Sequence, residues 1–169
     1  MIKFILTGPE CSGKTTLCTQ ISNYFNIPFS KEYAREYLNN LDYCKEDLLK
    51  IAKEQFKSED SVLTILDQKI SLHDTDLITI KIWSEYKFGF CDNWILDLIE
   101  KQKRENRFYL LCSPDIPWKE DFLRENPFNR SNLFDLYKQE IESLGHNYFI
   151  IEGDKRFEKS IQRIITKLY

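Results

Sequence analysis

The sequence predicts an α/β fold, a five-stranded parallel sheet covered on both faces by helices. Five apolar runs of strand length alternate with longer segments of helical period, the pattern of strands joined by crossover helices. Those connecting segments are long enough for right-handed parallel crossovers and too long for hairpins. A chain of 169 residues also has the length of one domain, so one unit over residues 1–169 is expected. With 42% hydrophobic residues and only 5 Gly and 5 Pro, the composition is that of a packed chain with short linkers.

Taken in order, residues 2–6 form an apolar run ending in Thr7-Gly8 and read as a buried strand. Residues 14–25 follow as a helix, 26–30 as a second strand, and 32–38 and 46–66 as helices. Residues 69–73 return to strand, 75–86 and 93–103 to helix, and 107–112 to strand. Residues 133–144 are a helix, 147–151 the last strand, and 157–168 the closing helix. Between them, residues 113–132 fit neither period and hold Pro114, Pro117 and Pro127 with Arg124 and Arg130. That stretch reads as an arginine-bearing lid loop, because a loop this long inside a domain usually serves function.

Several function classes drop out on composition. A net charge of -3, from 24 Lys and Arg against 27 Asp and Glu, supplies no overall positive field for a nucleic acid. The N-terminal apolar run is too short for a signal peptide and no run approaches a membrane span, so a cytosolic protein with neither nucleic-acid nor membrane partners is expected. Cysteines at 11, 18, 44, 91 and 112 form no CxxC pair, and His73 and His146 lie far apart, which argues against structural zinc and for reduced thiols. The histidines are read as structural, without a catalytic role.

One motif carries the chemistry. Gly8-Pro-Glu-Cys-Ser-Gly13-Lys14-Thr15 matches GxxxxGK[ST], placed between a predicted strand and a predicted helix as its mechanism requires. Gly8 and Gly13 permit the backbone angles that turn successive N–H groups of the loop inward on phosphates, and the helix offers its positive end. Lys14 suits the β- and γ-phosphates, and the Thr15 hydroxyl suits Mg2+. The expected ATP site is therefore Gly8, Pro9, Glu10, Cys11, Ser12, Gly13, Lys14, Thr15 and Thr16. The turn holding Gly153, Asp154 and Arg156 is expected at the adenine, where the last strand ends. The fold class sharpens to a P-loop NTPase three-layer sandwich.

Magnesium also needs a carboxylate to orient its water, and Asp74, at the carboxyl end of the third strand, is the candidate. Asp76 is a candidate for the acceptor, although either aspartate could instead cap the next helix. Glu32 follows the second strand, placed to take a proton from an acceptor hydroxyl or to hydrogen-bond it, with Arg35 one turn away on the same face. Trp83 and Tyr86 could stack on an acceptor or belong to the core. Lys14, Glu32, Asp74, Arg124 and Arg130 are the expected catalytic set, the two arginines closing over the phosphates.

With these residues in place, the chain resembles the ribosylnicotinamide kinase domain of NadR-type proteins, a branch of the P-loop kinases, over nearly its whole length. The resemblance rests on the loop, Glu32-Tyr-Ala-Arg-Glu36, Asp74-Thr-Asp76 leading into Thr79, Trp83-Ser-Glu-Tyr86, and the segment from Asp115 to Arg124. It implies ATP as donor and a nucleoside hydroxyl as acceptor, nicotinamide riboside first, with nicotinamide mononucleotide as product. Family members with that chemistry usually belong to longer proteins with adenylyltransferase and repressor domains, so a stand-alone kinase domain is expected here. Where the family carries an aromatic residue before the Glu32 segment, this chain has Lys31. A kinase for an uncharged nucleoside and a non-catalytic ATP-binding regulatory module stay open as alternatives. A GTPase switch does not, since no NKxD or DxxG segment is present.

Overall fold

The computed structural model describes residues 1–38, 42–65 and 69–168. The elements run β1 (Ile2–Thr7), α1 (Lys14–Phe25), β2 (Phe29–Ser30), α2 (Tyr33–Leu38), α3 (Lys45–Ile65), β3 (Ile70–Asp74), α4 (Leu77–Phe88), α5 (Asn93–Gln102), β4 (Arg107–Cys112), α6 (Arg130–Ser143), β5 (Asn147–Ile151) and α7 (Arg156–Leu168). The five strands form one sheet in the order β2-β3-β1-β4-β5, every pair parallel. This is the architecture the alternation of short and long periods implied.

β1 lies at the centre, and four of its six residues, Ile2, Phe4, Ile5 and Leu6, are apolar. Phe4 and Leu6 pack with Leu17, Ile21 and Ile164, from α1 and α7 on one face. Ile5 packs with Ile78, Ile82, Leu133 and Ile141, from α4 and α6 on the other. Alternate residues of one strand thus serve two helical layers, and neither face is left to water.

Several boundaries differ from the sequence reading for local reasons. The second strand is only Phe29–Ser30. Asn26 takes a left-handed conformation (φ 52°) to cap α1, and Pro28 has no N–H to give a ladder. β3 extends to Asp74, and α4 begins at Leu77 instead of 75, because Thr75 also turns left-handed (φ 69°) and Asp76 caps the helix. α6 begins at Arg130, which shortens the lid to residues 113–129. The helix end expected at Leu66 lies outside the described residues.

Beneath α3 and α4 sits a buried charge cluster. The Arg107 side chain is fully buried and donates from Nη1 to Asp76 Oδ2 (3.2 Å), from Nη2 to Glu59, and from Nε to Glu105 Oε2 (2.9 Å). Lys3 Nζ donates to Glu59 Oε1 (2.8 Å) and Glu105 Oε2 (2.7 Å), and Tyr109 Oη to Asp76 Oδ2 (2.7 Å). Next to it His73 is bracketed by Ser30 Oγ at Nδ1 (2.9 Å) and Ser71 Oγ at Nε2 (2.8 Å). Burial pushes the His73 pKa down to about 4, against the pull of Glu59, so the ring is neutral and structural.

Asp76 is therefore corrected from an acceptor ligand to a structural group. It is fully buried, accepts Ile78 N–H at Oδ1 (3.1 Å), and is the counter-ion of Arg107. The capping alternative is the one its position realises.

Because Arg107 cannot shed its proton, its removal strands Glu59 and Asp76 as buried anions. Arg107→Met is expected to cost roughly 3–5 kcal/mol in urea unfolding. A loss below about 1 kcal/mol would show that the cluster is not what holds α3 and α4 to the sheet.

Candidate functional site

The loop from Gly8 to Gly13 leaves β1 between two neighbouring strands, and its glycines have separate reasons. A Cβ on Gly8 (φ 131°) would lie 2.5 Å from the Cys112 carbonyl oxygen, while Gly13 sits at φ 80°, a left-handed conformation that favours glycine. Gly13 in turn caps α1, so the helix begins at Lys14 with its unpaired N–H groups turned toward the loop. Ser12 Oγ donates to Pro9 O (2.7 Å), and Lys14 Nζ donates to the carbonyls of Gly8 and Pro9 (both 2.8 Å). The lysine is thereby folded over the loop it serves.

Thr75 N donates to Leu6 O (3.0 Å), which holds the end of β3 against β1 and brings Asp74 beside the start of α1. Asp74 is 1% exposed, and neither carboxylate oxygen has a hydrogen-bond partner. Burial, with Glu32 adding to it, pushes its pKa up to about 6, while the neighbouring Thr15 hydroxyl and the Lys14 and Arg35 cations pull the other way. A buried carboxylate with uncommitted oxygens beside a hydroxyl is a donor set that fits Mg2+. Among the described residues no group of three or more His, Cys, Asp or Glu side chains is gathered, so a cation here would take its other ligands from phosphate and water.

A cleft opens above the loop, floored by Gly8, Pro9, Glu10, Cys11, Ser12, Gly13, Lys14, Thr15 and Thr16. Glu32 and Arg35 form one side, Arg35 Nε donating to Glu32 Oε2 (3.1 Å). Thr79, Ile82, Trp83 and Tyr86 form the wall, one face of α4 at spacings of three and four. Trp83 is held by its indole N–H, which donates to Tyr43 Oη (2.7 Å), while Tyr86 is 42% exposed. Leu133 and Tyr137 of α6 complete the back.

The lid roofs this cleft with Leu123, Arg124 and Asn126. The Glu10 carboxylate holds it down, accepting the backbone N–H groups of Glu125 (2.9 Å) and Asn126 (3.0 Å) at Oε2 and Asn126 Nδ2 (3.1 Å) at Oε1. Cys11 Sγ accepts Lys119 N–H (3.3 Å) and donates to Pro117 O (3.4 Å). Glu125 is tied to the wall as well, through Tyr43 Oη (2.8 Å) and Lys87 Nζ (2.7 Å).

The fold thus brings the loop residues, Glu32, Arg35, Trp83, Tyr86 and Arg124 to one cleft, and it separates others from it. Arg130 does not line the cleft; it donates to Cys11 O (3.3 Å) and Ile116 O (2.8 Å) and pins the base of the lid to the loop. Gly153, Asp154 and Arg156 are likewise outside the cleft lining. Arg156 donates to Ser12 O and Ser113 O (both 2.9 Å) and pairs with Asp115, whose Oδ2 accepts Gly153 N–H (2.7 Å); Asp154 is exposed. Lys31 is exposed and outside the cleft lining.

Sequence reasoning missed Ile82, Leu123, Asn126, Leu133 and Tyr137 as lining residues, and Glu10 as the lid's anchor. Leu133 and Tyr137 share a helix face four residues apart, the one signal that could have paired them.

Comparison with known proteins bears on the fold and the family. A family model described as an AAA domain matches residues 3–158. The trifunctional NAD biosynthesis/regulator protein NadR of Escherichia coli K12 is 24% identical over 94% of this chain and 41% of its own length. Its Salmonella typhimurium counterpart is 25% identical over 70% of this chain and 30% of its own. The chain thus spans less than half the length of these curated relatives. Among solved structures, a NadR protein in complex with NR superposes with a TM-score of 0.73 at 20% identity, over 96% of this chain and half of the other. A deoxyadenosine kinase from M. mycoides superposes at 0.58 and 15% identity, over 99% and 98%. The fold is that of the P-loop kinases.

The Asp74 environment makes a pH-dependent prediction for the metal-free chain. Its folded pKa stands above the ordinary value near 3.8, so the native state holds the extra proton between there and about 6, and stability falls as pH rises through that window. Asp74→Asn is therefore expected to be more stable than wild type at pH 7.5, by on the order of 1–3 kcal/mol and with a higher melting temperature, and to match it near pH 4. Equal melting temperatures at both pH values would show that the carboxylate carries no burial penalty.

Proposed function

We propose, from the premise that the chain belongs to the AAA domain family, that it transfers the terminal phosphate of ATP to a nucleoside hydroxyl in the cleft, with nicotinamide riboside the best acceptor. The observation that carries this reading is the composition of that one cleft. It joins a phosphate loop, with an unpartnered buried carboxylate behind it, to a carboxylate, two arginines and an aromatic wall.

The chain's own groups have separable tasks. Backbone N–H groups of the loop and the N-terminus of α1 hold the phosphates, and Lys14 exchanges its carbonyl partners for the β- and γ-oxygens. Arg124 faces the transferring group from the lid and offsets the charge spread over it. Thr15 and Asp74 would hold Mg2+, which supplies charge neutralisation when bound. Glu32 accepts the proton of the acceptor hydroxyl as its oxygen bonds to the γ-phosphorus and the bond from that phosphorus to the ADP oxygen breaks. The adenine is assigned toward the turn of Gly153, Asp154 and Arg156.

Trp83 and Tyr86 supply aromatic faces that attract a cationic ring, and Glu10 and Glu32 add negative charge to the same cleft. Lys31, the residue whose ammonium would repel such a ring, is exposed and outside the lining. An uncharged nucleoside is the second reading, favoured by Arg35 and Arg124, which place positive charge in the cleft.

A coupled ADP-release assay over nicotinamide riboside, uridine, cytidine and the deoxynucleosides tests the proposal. Nicotinamide riboside is expected to show the highest kcat/KM, Lys31→Trp to change it less than about twofold because the side chain lies off the cleft, and Lys14→Ala to lower turnover by about 1,000-fold with an unchanged melting temperature. A tenfold preference for an uncharged nucleoside would reassign the acceptor. ATP binding without turnover on any nucleoside would make the chain a regulatory module.

A further inference from the structure

We propose that Asp121 is a positioning residue that couples the lid to the acceptor side of the cleft through Arg35, which it shares with Glu32. The inference rests on the reading of Glu32 as the group that meets the acceptor hydroxyl.

Arg35 is shared. Its Nε donates to Glu32 Oε2 (3.1 Å), and its Nη1 donates to both oxygens of Asp121 (3.1 and 3.0 Å), a residue 86 positions away on the lid. A guanidinium fork beside a carboxylate favours two parallel hydrogen bonds to its two oxygens. With Asp121 in place Nη1 is committed to the lid, and Arg35 reaches Glu32 through Nε. Without it the guanidinium loses its lid partner and is free to turn end-on, with Nη1 and Nη2 toward both Glu32 oxygens, which are the atoms an acceptor hydroxyl needs.

Asp121 is built for that task. Its Oδ1 accepts Leu123 N–H (3.2 Å), and its carbonyl accepts Arg124 N–H (2.9 Å), so the turn that presents Leu123 and Arg124 to the cleft is closed on the residue that binds Arg35. Burial notwithstanding, the Leu123 amide and the Arg35 guanidinium hold its pKa below the usual carboxylate value, so it is an anion at neutral pH. The pair is also partly exposed, Arg35 at 37% and Asp121 at 24%, and ion pairs of that kind add little to global stability. Its loss should therefore be read in position, not in unfolding.

The lid has a second, separate anchor. Glu10 holds Glu125 and Asn126 from the phosphate loop, so loss of Asp121 loosens the acceptor end and leaves the donor end fastened. That division gives the proposal its signature, a defect confined to one substrate.

The test uses the full chain with Asp121→Asn, Asp121→Glu and Arg35→Gln. Steady-state ADP release is measured with ATP and the best nucleoside of the panel varied in turn. Asp121→Asn is expected to lower kcat/KM for the nucleoside tenfold or more, with KM for ATP within twofold of wild type and an unchanged melting temperature. Asp121→Glu is expected to recover at least a third of the loss. An equal rise in KM for ATP, or no kinetic effect, would overturn the proposal. Hydrogen exchange of the nucleoside-free chain provides a readout that needs no turnover: the amides of Leu123 and Arg124, which Asp121 holds, are expected to exchange faster in both Asp121→Asn and Arg35→Gln, and those of Glu125 and Asn126, which Glu10 holds, to stay unchanged. Unchanged exchange in both variants would overturn the coupling. If wild type phosphorylates no nucleoside, the kinase reading fails, and the exchange result alone decides whether Asp121 and Arg35 hold the lid.

Discussion

The buried guanidinium of Arg107 is the constraint around which much of this molecule is arranged. A cation that stays charged inside the fold must be met by carboxylates, and β4 cannot supply them itself. They come from Glu59 on α3, Glu105 just before β4, and Asp76 at the start of α4. Because Asp76 is also the cap of α4, the direction of that helix is tied to the charge balance of the core. Thr75 must then cross from strand to helix in a left-handed turn, and Asp74 is left at the end of β3, buried and uncommitted. The face of α4 carrying Thr79, Ile82, Trp83 and Tyr86 turns to the cleft as a consequence.

Two kinds of order meet in the site. The phosphate loop is set by close backbone contact, as the approach of Gly8 to the Cys112 carbonyl shows, and that part is rigid by sterics. The lid is set by polar latches, Glu10 on the donor side and the Arg35–Asp121 pair on the other. Such latches form in water-accessible places and hold position at small cost in stability. A roof fastened this way suits a site that must admit a substrate and then exclude water.

The cleft mixes charges without a uniform field. Glu10 and Glu32 stand near Lys14, Arg35 and Arg124, and much of this charge is already spent inside the protein: Glu10 on lid amides, Lys14 on loop carbonyls, Arg35 on two carboxylates. On the proposed reading, a substrate entering such a place exchanges partners with these groups, with little new charge to bury.

The sequence by itself determined the sheet, the crossover helices and the phosphate loop, because each is written in local pattern: strand-length apolar runs, helical period, and a glycine motif whose residues are contiguous. It also determined that Glu32, Arg35, Trp83, Tyr86 and Arg124 were worth attention, since polar and aromatic residues after strand ends gather on one side of a parallel sheet. Only the tertiary structure set Asp74 and Asp76 in different surroundings. The two differ by two residues in sequence, yet one lies beside the phosphate loop and the other under α4, and what separates them is a partner, Arg107, thirty-one positions away from Asp76. It likewise moved Arg130 and the turn at Gly153 off the cleft and revealed Glu10 and Asp121 as lid anchors. The physical reason is common to all of these. A charged side chain takes its role from whichever opposite charge or amide the fold brings within about 3 Å, and over such separations in the chain no periodicity or spacing records which one that is.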